Sequence, residues 1–273
     1  MNRTIAAFRP SRSKGQCFLT DAGVIGHIVE TIAPTPGETL LEIGAGAGQL
    51  TVPLLASPAA PRVIAIEADP RLAAKFPSHE KLVLIRADAL KLDFAALLDE
   101  RGLDAIRVVG NLPYSIAAPI LLRLLSASTR LRSLTLMFQK EVATRLTARP
   151  GTKEYSSLSV LAQQAARVEL LFRIPPTAFK PRPRVTSSLV GFSLLHDEAP
   201  EIGNEDTFRA VVRALLAHRR KTIANNIKHL ASPNLASGIL EAVSETSIDT
   251  ARRAETLSVE EFAEISRICA LQA

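Results

Sequence analysis

Cysteine is scarce in this chain, and the placement of the few residues present excludes two kinds of site. Cys17 and Cys269 are the two cysteines in 273 residues, and they lie near opposite ends of the sequence. Residues so far apart have neither the close spacing of metal ligands nor that of a redox motif. The cysteine content therefore predicts a reduced, cytosolic protein.

Long apolar runs are also missing. No stretch approaches the length needed to cross a membrane, and the amino terminus lacks the unbroken apolar core of a signal peptide. Residues 1–14 carry Arg3, Arg9, Arg12 and Lys14. We interpret them as a flexible basic arm, with a short amphipathic transit signal in Met1–Ser13 as the alternative. A soluble protein without a membrane partner is expected.

Acidic residues are outnumbered by basic ones. The chain has 33 Lys and Arg against 27 Asp and Glu, a formal net charge of +6 and a pI near 9.6. This excess favours a polyanionic partner, while a solvated basic surface is the alternative. The length allows one large domain, or a main domain with a smaller one.

A glycine-rich turn follows the first buried strand. Thr39–Ile43 reads as a strand, Gly44-Ala45-Gly46-Ala47-Gly48 follows it, and a helix restarts near Gln49. Residues without Cβ atoms let a ligand approach the backbone closely. Because Gln49 stands where a dinucleotide fingerprint needs Gly or Ala, NAD and FAD are disfavoured. The pattern resembles the first motif of S-adenosylmethionine-dependent methyltransferases, and a tight structural turn is the alternative.

The next two strands end near carboxylates. Val63–Ile66 runs into Glu67, and Leu82–Ile85 is followed closely by Asp88. A carboxylate at a strand end can accept both hydroxyls of a ribose, and Asp88 can accept a hydrogen bond from an adenine amine. Each acid alone reads as a surface residue. Three successive strands that end in a glycine turn or an acid favour a cofactor site.

Asn111-Leu112-Pro113-Tyr114 is the candidate catalytic turn. It follows the short strand Ile106–Gly110 and precedes an apolar helix. The Asn111 oxygen and a main-chain carbonyl near Pro113 suit the two hydrogens of an exocyclic amine, which is not basic because its lone pair is delocalised. Tyr114 suits stacking on a base pulled out of its helix. The alternative is an ordinary proline turn with a half-buried tyrosine.

Strands alternating with helices predict an α/β fold with a parallel doubly wound sheet. Asp21 is expected to cap a first helix that begins at Ala22. Ser133–Phe138 and Val168–Ile174 are further strands, and Ser187–Leu195 is expected to close the sheet in an antiparallel direction. The loop Pro175–Arg184 is stiffened by prolines. It is expected either to present Phe179 for stacking and Lys180, Arg182 and Arg184 to phosphates, or to be a rigid connection with solvated charges.

The composition becomes acidic and turn-rich after His196, which predicts a domain boundary between residues 199 and 200. Residues 1–199 form the first predicted domain and 200–273 a helical one. Phe208–His229 is interpreted as a single helix that faces a polyanion, with a solvated charged face as the alternative. Its basic residues are Arg209, Arg213, Arg219, Arg220, Lys221 and Lys228.

Together these motifs resemble the ribosomal RNA adenine dimethyltransferases that act on small-subunit RNA. The likeness covers nearly the whole chain and rests on Gly15–Leu19, Glu42–Gly48, Ala87–Ala89, Asn111–Tyr114, Gln139–Ala143, Phe179–Ser188 and Arg219–Thr222. It implies a Rossmann-like class I methyltransferase domain followed by a small helical domain. It also implies dimethylation of two adjacent adenosines in the 3′-terminal hairpin of 16S-type RNA, with S-adenosylmethionine as methyl donor.

The resemblance also assigns residues. The expected cofactor-binding residues are Gln16, Cys17, Leu19, Gly44, Gly46, Glu67, Asp88 and Asn111. The expected catalytic residues are Asn111, Leu112, Pro113, Tyr114 and Phe179. RNA contacts are expected from Lys180, Arg182, Arg184, Arg219, Arg220 and Lys221. Cys17 departs from the family, which commonly has Asn or His there; a thiol is a weak hydrogen-bond partner, which favours a backbone contact.

The expected mechanism is direct displacement at the sulfonium methyl, without a metal or a covalent enzyme intermediate. Proximity, desolvation and orientation of the amine are expected to supply most of the rate. The expected partner is small-subunit RNA within a pre-30S-like particle, bound by a monomer with a role in subunit biogenesis. Two alternatives remain: methylation of a large-subunit adenosine, which Leu112 and the carboxy-terminal likeness disfavour, and a non-catalytic assembly factor, which the intact Asn111, Tyr114 and Phe179 disfavour.

Overall fold

The computed structural model describes residues 17–74 and 76–271. Gln16 and the predicted basic arm therefore lie outside the described residues. The chain divides into two compact units. The described residues up to Ala143, together with Glu169–Leu194, form the first unit; Thr144–Val168 and those from Leu195 onward form the second.

This division differs from the predicted single boundary after residue 199. Residues 144–168 belong with the carboxy-terminal helices, because the helix Ser157–Ala165 packs against two of them. The composition around residue 199 marks where the chain returns to the second unit, at Leu195.

The first unit alternates strands and helices, as the sequence pattern predicted. Its elements in chain order are β1 (Phe18–Leu19), α1 (Ala22–Ile32), β2 (Thr39–Ile43), α2 (Thr51–Leu55), β3 (Arg62–Ile66), α3 (Pro70–Ala73), β4 (Leu82–Ile85), α4 (Phe94–Asp99), β5 (Ile106–Asn111), α5 (Ala117–Ser126) and β6 (Leu131–Gln139). After α6 (Lys140–Leu146) and α7 (Ser157–Ala165) come β7 (Ala166–Ile174), β8 (Phe179–Lys180) and β9 (Ser187–Leu194). Asp21 caps α1 as predicted, since its side chain accepts the Val24 N–H.

Seven strands form one sheet in the order β4-β3-β2-β5-β6-β9-β7. The pairs β3–β4, β2–β3, β2–β5 and β5–β6 are parallel, and β9 runs antiparallel to β6. The predicted mostly parallel α/β sheet is confirmed. The prediction that Ser187–Leu195 closes the sheet is wrong: β9 lies inside it and β7 lies at the edge. Accordingly, the first six residues of β9 are all buried, whereas β7 has exposed positions along its length.

Strand order places the functional turns side by side. β2 lies between β3, which follows it in the chain, and β5, which comes later, so the direction of winding reverses at the β2–β5 pair. In open α/β sheets, ligands bind beside the carboxyl ends of the strands at such a reversal. β2 ends at Ile43 before the glycine turn (Gly44–Gly48), and β5 ends at Asn111.

The second unit is helical. Besides α7 it contains α8 (Glu205–Leu215), α9 (Ile223–Lys228), α10 (Pro233–Ser244) and α11 (Val259–Leu271). Helix α11 packs against α7, α8 and α10. None of the helices within 17–74 and 76–271 combines the length and the apolar character required to cross a membrane.

The prediction of one helix over Phe208–His229 is wrong. Helix α8 ends at Leu215 and α9 begins at Ile223, where the Thr222 side chain caps it by accepting the Asn225 N–H. The intervening segment 216–222, which we call the basic turn, is held by the buried Asn226. Its amide accepts the His218 N–H and donates to the His218 carbonyl. Arg219, Arg220 and Lys221 therefore lie on this turn.

Candidate active site

A cleft of about 830 Å³ opens at the carboxyl ends of β2 and β5. Apolar walls come from a strand end, a turn and helix α5, through Ile66, Ala89 and Ile120. Most of the predicted cofactor and catalytic residues line it: Cys17, Leu19, Gly44, Gly46, Glu67, Asp88, Asn111, Leu112, Pro113 and Tyr114.

The glycine turn lies directly against the catalytic turn (Asn111–Tyr114). Gly44 has φ +71°, and a Cβ atom there would lie 3.2 Å from the Asn111 carbonyl oxygen and 3.5 Å from Pro113 Cδ. Any side chain at Gly44 would therefore be strained and would press on the residues that carry the predicted chemistry. The two motifs, 67 residues apart in sequence, form one wall of the cleft.

Glu67 braces the glycine turn from the end of β3. Its carboxylate accepts the Gly46 N–H at 2.8 Å and the Asp69 N–H at 2.7 Å. Burial raises the pKa of Glu67, and these two N–H donors oppose that effect. A carboxylate has about four acceptor sites, so it can hold the turn and still accept ribose hydroxyls.

Asp88 lies on the exposed rim of the cleft after β4. Its Oδ1 accepts the Leu90 N–H at 2.9 Å, which fixes the direction of the side chain. Its other oxygen gives the cleft a second acceptor suited to an amine. The acceptors and glycines present on the two sides of the cleft thus fit a nucleoside with a ribose and an adenine.

Glu42 lies beneath the glycine turn and had no predicted role of its own. It is buried, and the Thr51 hydroxyl donates a hydrogen bond to its Oε2. Burial raises the pKa of Glu42 to about 8; the Thr51 bond opposes this and the neighbouring Glu67 adds to it. The cleft floor therefore carries a carboxyl group that is largely protonated near neutral pH.

The Asn111 amide has a defined orientation. Its Nδ2 donates to the Cys17 carbonyl at 3.2 Å, so Oδ1 is left as the acceptor of this side chain. The Pro113 carbonyl accepts the Ile116 N–H at 3.0 Å within the turn. The Leu112 carbonyl is therefore the main-chain acceptor that fits the predicted role near Pro113.

Tyr114 is half-buried, with its ring at the cleft and its hydroxyl turned into the protein. The hydroxyl is within hydrogen-bond distance of Ser187 Oγ, at the start of β9. Burial raises the pKa of Tyr114 to about 12, while the Ser187 bond opposes that rise. The phenol is thus neutral under physiological conditions.

Cys17 contributes through its backbone. Its carbonyl orients Asn111, and its half-buried thiol lines the cleft, where burial raises the thiol pKa. The backbone contact seen here is to Asn111, while the expected contact to the cofactor stays a prediction.

Phe179 differs from its prediction. It was expected to be presented as a stacking platform, but it is 2% exposed and packs in the buried core with Leu19 and Ile28. β8 pairs with β1, and this pairing sets Phe179 opposite Leu19. Direct stacking on a base requires the ring to leave this core. In the present structure Phe179 supports the strand whose Leu19 lines the cleft.

The basic residues lie on exposed segments of each unit. In the first unit, Lys180, Arg182 and Arg184 are exposed on the proline-rich loop. In the second, Arg220 is exposed, whereas Arg219 bonds Glu255 at 3.0 Å and the Thr152 carbonyl at 3.3 Å. Part of the Arg219 charge is therefore already neutralised within its own unit.

Sequence reasoning missed Thr51 and Ser187. The position of Thr51, a polar residue in the first turn after the glycine motif, is a signal that could have found it. The neighbouring sequence does not indicate that its partner is Glu42. Ser187 contacts a residue 73 positions away, and no local signal could have found it. Within 17–74 and 76–271, no group of three or more His, Cys, Asp or Glu is arranged to hold a metal ion.

Known proteins match the chain along almost its whole length. Relatives named ribosomal RNA small subunit methyltransferase A include that of Moorella thermoacetica, 41% identical over 97% of this chain and 96% of its own. The protein of that name from Chromohalobacter salexigens is 40% identical over 97% of this chain and 93% of its own. The crystal structure of a dimethyladenosine transferase from Plasmodium falciparum has a TM-score of 0.73 at 23% identity, covering 91% of this chain and 95% of its own.

A second solved structure, the 23S rRNA methyltransferase ErmE, has a TM-score of 0.64 at 22% identity and covers 92% of this chain and 99% of its own. At these identities, the two structures show a shared fold. The family model for ribosomal RNA adenine dimethylase matches residues 7–271. The chain therefore belongs to the ribosomal RNA adenine dimethylase family.

Proposed function

We propose that this enzyme dimethylates two adjacent adenosines in the 3′-terminal hairpin of small-subunit rRNA, within a pre-30S-like particle. The chain is an S-adenosylmethionine-dependent rRNA adenine dimethyltransferase. The observation that carries the site assignment is the close approach of Gly44 to the Asn111 carbonyl and the Pro113 ring, with the Asn111 amide oriented by Cys17. The two relatives at 40% and 41% identity support the small subunit as the substrate.

The cleft offers groups for each part of the methyl donor. We assign the close approach to Gly44 and Gly46, ribose hydroxyls to Glu67, the adenine amine to Asp88, and an apolar wall to Leu19. Cys17 lines the same wall, and Gln16 keeps its predicted cofactor role. S-adenosylmethionine, when bound, supplies an electrophilic methyl group on a sulfonium.

The catalytic turn prepares the target amine. Asn111 Oδ1 and the Leu112 carbonyl accept its two hydrogens, which draws the nitrogen lone pair away from the ring and towards the methyl group. Pro113 keeps the Leu112 peptide free of a following N–H and holds it extended. Tyr114 stacks on the extruded adenine. The new N–C bond forms as the S–C bond breaks, and one amine proton leaves to solvent.

RNA is held outside the cleft by basic residues of the proline-rich loop and of the basic turn. We assign Lys180, Arg182 and Arg184 of the loop, and Arg219, Arg220 and Lys221 of the basic turn, to phosphates. Phe179 supports the cleft from the β8–β1 pair. The proposal includes a cytoplasmic monomer that acts without a metal.

Methyl transfer from labelled S-adenosylmethionine onto unmethylated small and large ribosomal subunits tests this proposal. We expect dimethyladenosine in the 3′-terminal hairpin of the small subunit, mapped by mass spectrometry, and a loss of about 100-fold in Asn111→Ala, because orientation of the amine is removed. Asn234→Ala, an exposed residue of α10, is the matched control.

The other outcomes are distinct. Label confined to large subunits would replace the proposed substrate with a large-subunit adenosine. Binding of cofactor and small subunits without transfer would leave an assembly factor on this fold.

A further inference from the structure

We infer that Ser187 is a positioning residue that sets the plane of the Tyr114 ring. The inference rests on the proposed function, in which that ring stacks on the target adenine. Stacking depends on the tilt and distance of the ring, so a ring that must receive a flipped base needs a fixed orientation. The backbone of the turn fixes the Cα of Tyr114, and a second anchor at the far end of the side chain fixes its ring.

Ser187 is built to be such an anchor. It is fully buried at the first position of β9, and its Oγ meets the Tyr114 hydroxyl. Its own backbone is fixed by pairing with Gln139 in the antiparallel β6–β9 ladder. The neighbouring backbone bond extends this pairing, because the Lys140 N–H donates to the Thr186 carbonyl at 2.9 Å. The hydroxyl that meets Tyr114 therefore belongs to the rigid sheet rather than to a loop.

The protonation state of Tyr114 keeps this bond in place. Burial raises its pKa to about 12, so the phenol retains its proton at working pH and can donate to Ser187 or accept from it. A neutral phenol also avoids placing a negative charge beside an electron-rich base. The bond thus orients the ring without changing its charge.

The anchor also ends the RNA-facing loop. This loop runs from β8, where Phe179 is paired with Leu19, to Ser187 at the start of β9. The exposed Lys180, Arg182 and Arg184 lie between these two fixed points. The phosphate-binding residues therefore lie at most seven positions from Ser187, so the loop that binds phosphates is anchored beside the Tyr114 ring.

Tyrosine fluorescence tests the anchor without any substrate. The chain has no Trp and two Tyr, so Tyr155→Phe makes Tyr114 the sole emitter. Within the described residues the buried Tyr155 hydroxyl has no hydrogen-bond partner, so its removal is a mild change. In this background, Ser187→Ala should lower the fluorescence anisotropy of Tyr114 at constant melting temperature of the fold. Ser188→Ala, a buried serine one position further along β9, should leave it unchanged.

Kinetics on small subunits supply the second measurement. Ser187→Ala should lower kcat about 10-fold while the Kd for S-adenosylmethionine, measured by calorimetry, stays within about twofold. Tyr114→Phe removes the same bond from the other side. Ser187→Ala should therefore cost nothing further in a Tyr114→Phe background, as a double-mutant cycle requires for a pair that acts as one unit.

Two results would overturn the inference. Wild-type anisotropy and kcat in Ser187→Ala would show that the bond does not hold the ring, and equal losses of kcat in Ser187→Ala and Ser188→Ala would show a general packing effect. If Ser187→Ala unfolds, Tyr114→Phe decides the outcome through its kcat, because it removes the same bond and leaves Ser187 in place. Failure of the wild type to methylate small subunits would instead refute the proposed substrate, and the anisotropy measurement would remain valid.

Discussion

Replacing Gly110 with alanine tests whether the close approach of β2 and β5 sets the active-site geometry. Gly110 is the residue before Asn111 and is the register partner of Ile43, the last residue of β2. A Cβ atom at Gly110 would lie 2.5 Å from the Ile43 carbonyl oxygen, a backbone atom that no side-chain rotation can move. Reaching an ordinary contact of 3.4 Å requires the strands to separate by about 0.9 Å.

This displacement acts on both functional turns, because Gly44 follows Ile43 and Asn111 follows Gly110. Overpacking of this kind costs about 1–3 kcal/mol of stability. A misplacement near 1 Å at a reacting group costs about 100-fold in rate. We therefore expect Gly110→Ala to remain folded, with a lower urea midpoint and a fall in kcat of about 30- to 100-fold.

Gly191→Ala is the matched control. Gly191 also lies inside a strand of this sheet, but the three atoms nearest to its Cβ would be side-chain atoms of Leu171 and Glu169, at 3.3–3.4 Å. Those side chains can move, so the change in stability should stay within about 1 kcal/mol and kcat within about twofold. Methyl transfer and urea unfolding of both variants decide the matter. Wild-type kcat and stability in Gly110→Ala would refute the proposal that the close strand spacing positions the site.

Three further predictions concern charge and buried polar groups. Burial raises the folded-state pKa of Glu42 from 4.5 to about 8, so the free energy of unfolding should fall as pH rises through that window. Glu42→Gln should weaken this pH dependence of stability and be more stable than the wild type near pH 9, as measured by urea titrations. Arg220→Ala should reduce the salt slope of small-subunit binding by about 1, and Arg219→Ala by less, because Arg219 is paired within its unit; equal slopes measured by filter binding would contradict this. Asn226→Ala should lower the free energy of unfolding in urea by about 1–3 kcal/mol, because it leaves the buried groups of the basic turn unpaired. Asn225→Ala, at the exposed neighbouring position, should lower it by under about 0.5 kcal/mol.

Local signals predicted the core of this fold. Asp21 caps α1 through a bond to a residue three positions away, and the strands β2 to β5 are short, mostly apolar runs. Such features depend on neighbours in sequence. The alternation of elements then limits the topology, because parallel strands joined by helices form a doubly wound sheet. Because these strands are parallel, their carboxyl ends lie along one edge of the sheet, and that edge carries Gly44, Glu67, Asp88 and Asn111.

Periodicity alone misplaced the carboxy-terminal helix. Phe208, Val211, Val212 and Leu215 form an apolar stripe, and Ile223 and Ile227 continue it at a spacing close to the helical repeat. Nothing in that pattern shows that the chain turns after Leu215. The turn depends on Asn226, whose amide replaces the backbone bonds that a continuous helix would have made. In the sequence, Asn226 is an ordinary polar residue in a basic segment. Its role in ending the helix becomes visible only when its bonds to His218 are known.

The active site shows why the remaining contacts were beyond prediction. The side chains to which we assign the chemistry lie at or just after strand ends, where the sequence pattern placed them. The groups that orient them come from elsewhere: the Cys17 carbonyl for Asn111 and Ser187 for Tyr114. A carbonyl is carried by every residue, and a single serine carries no pattern, so neither has a sequence signature. Orientation in this enzyme therefore depends on the sheet that brings distant residues together, which is why substitutions at Gly110 or Ser187 should affect catalysis without touching substrate.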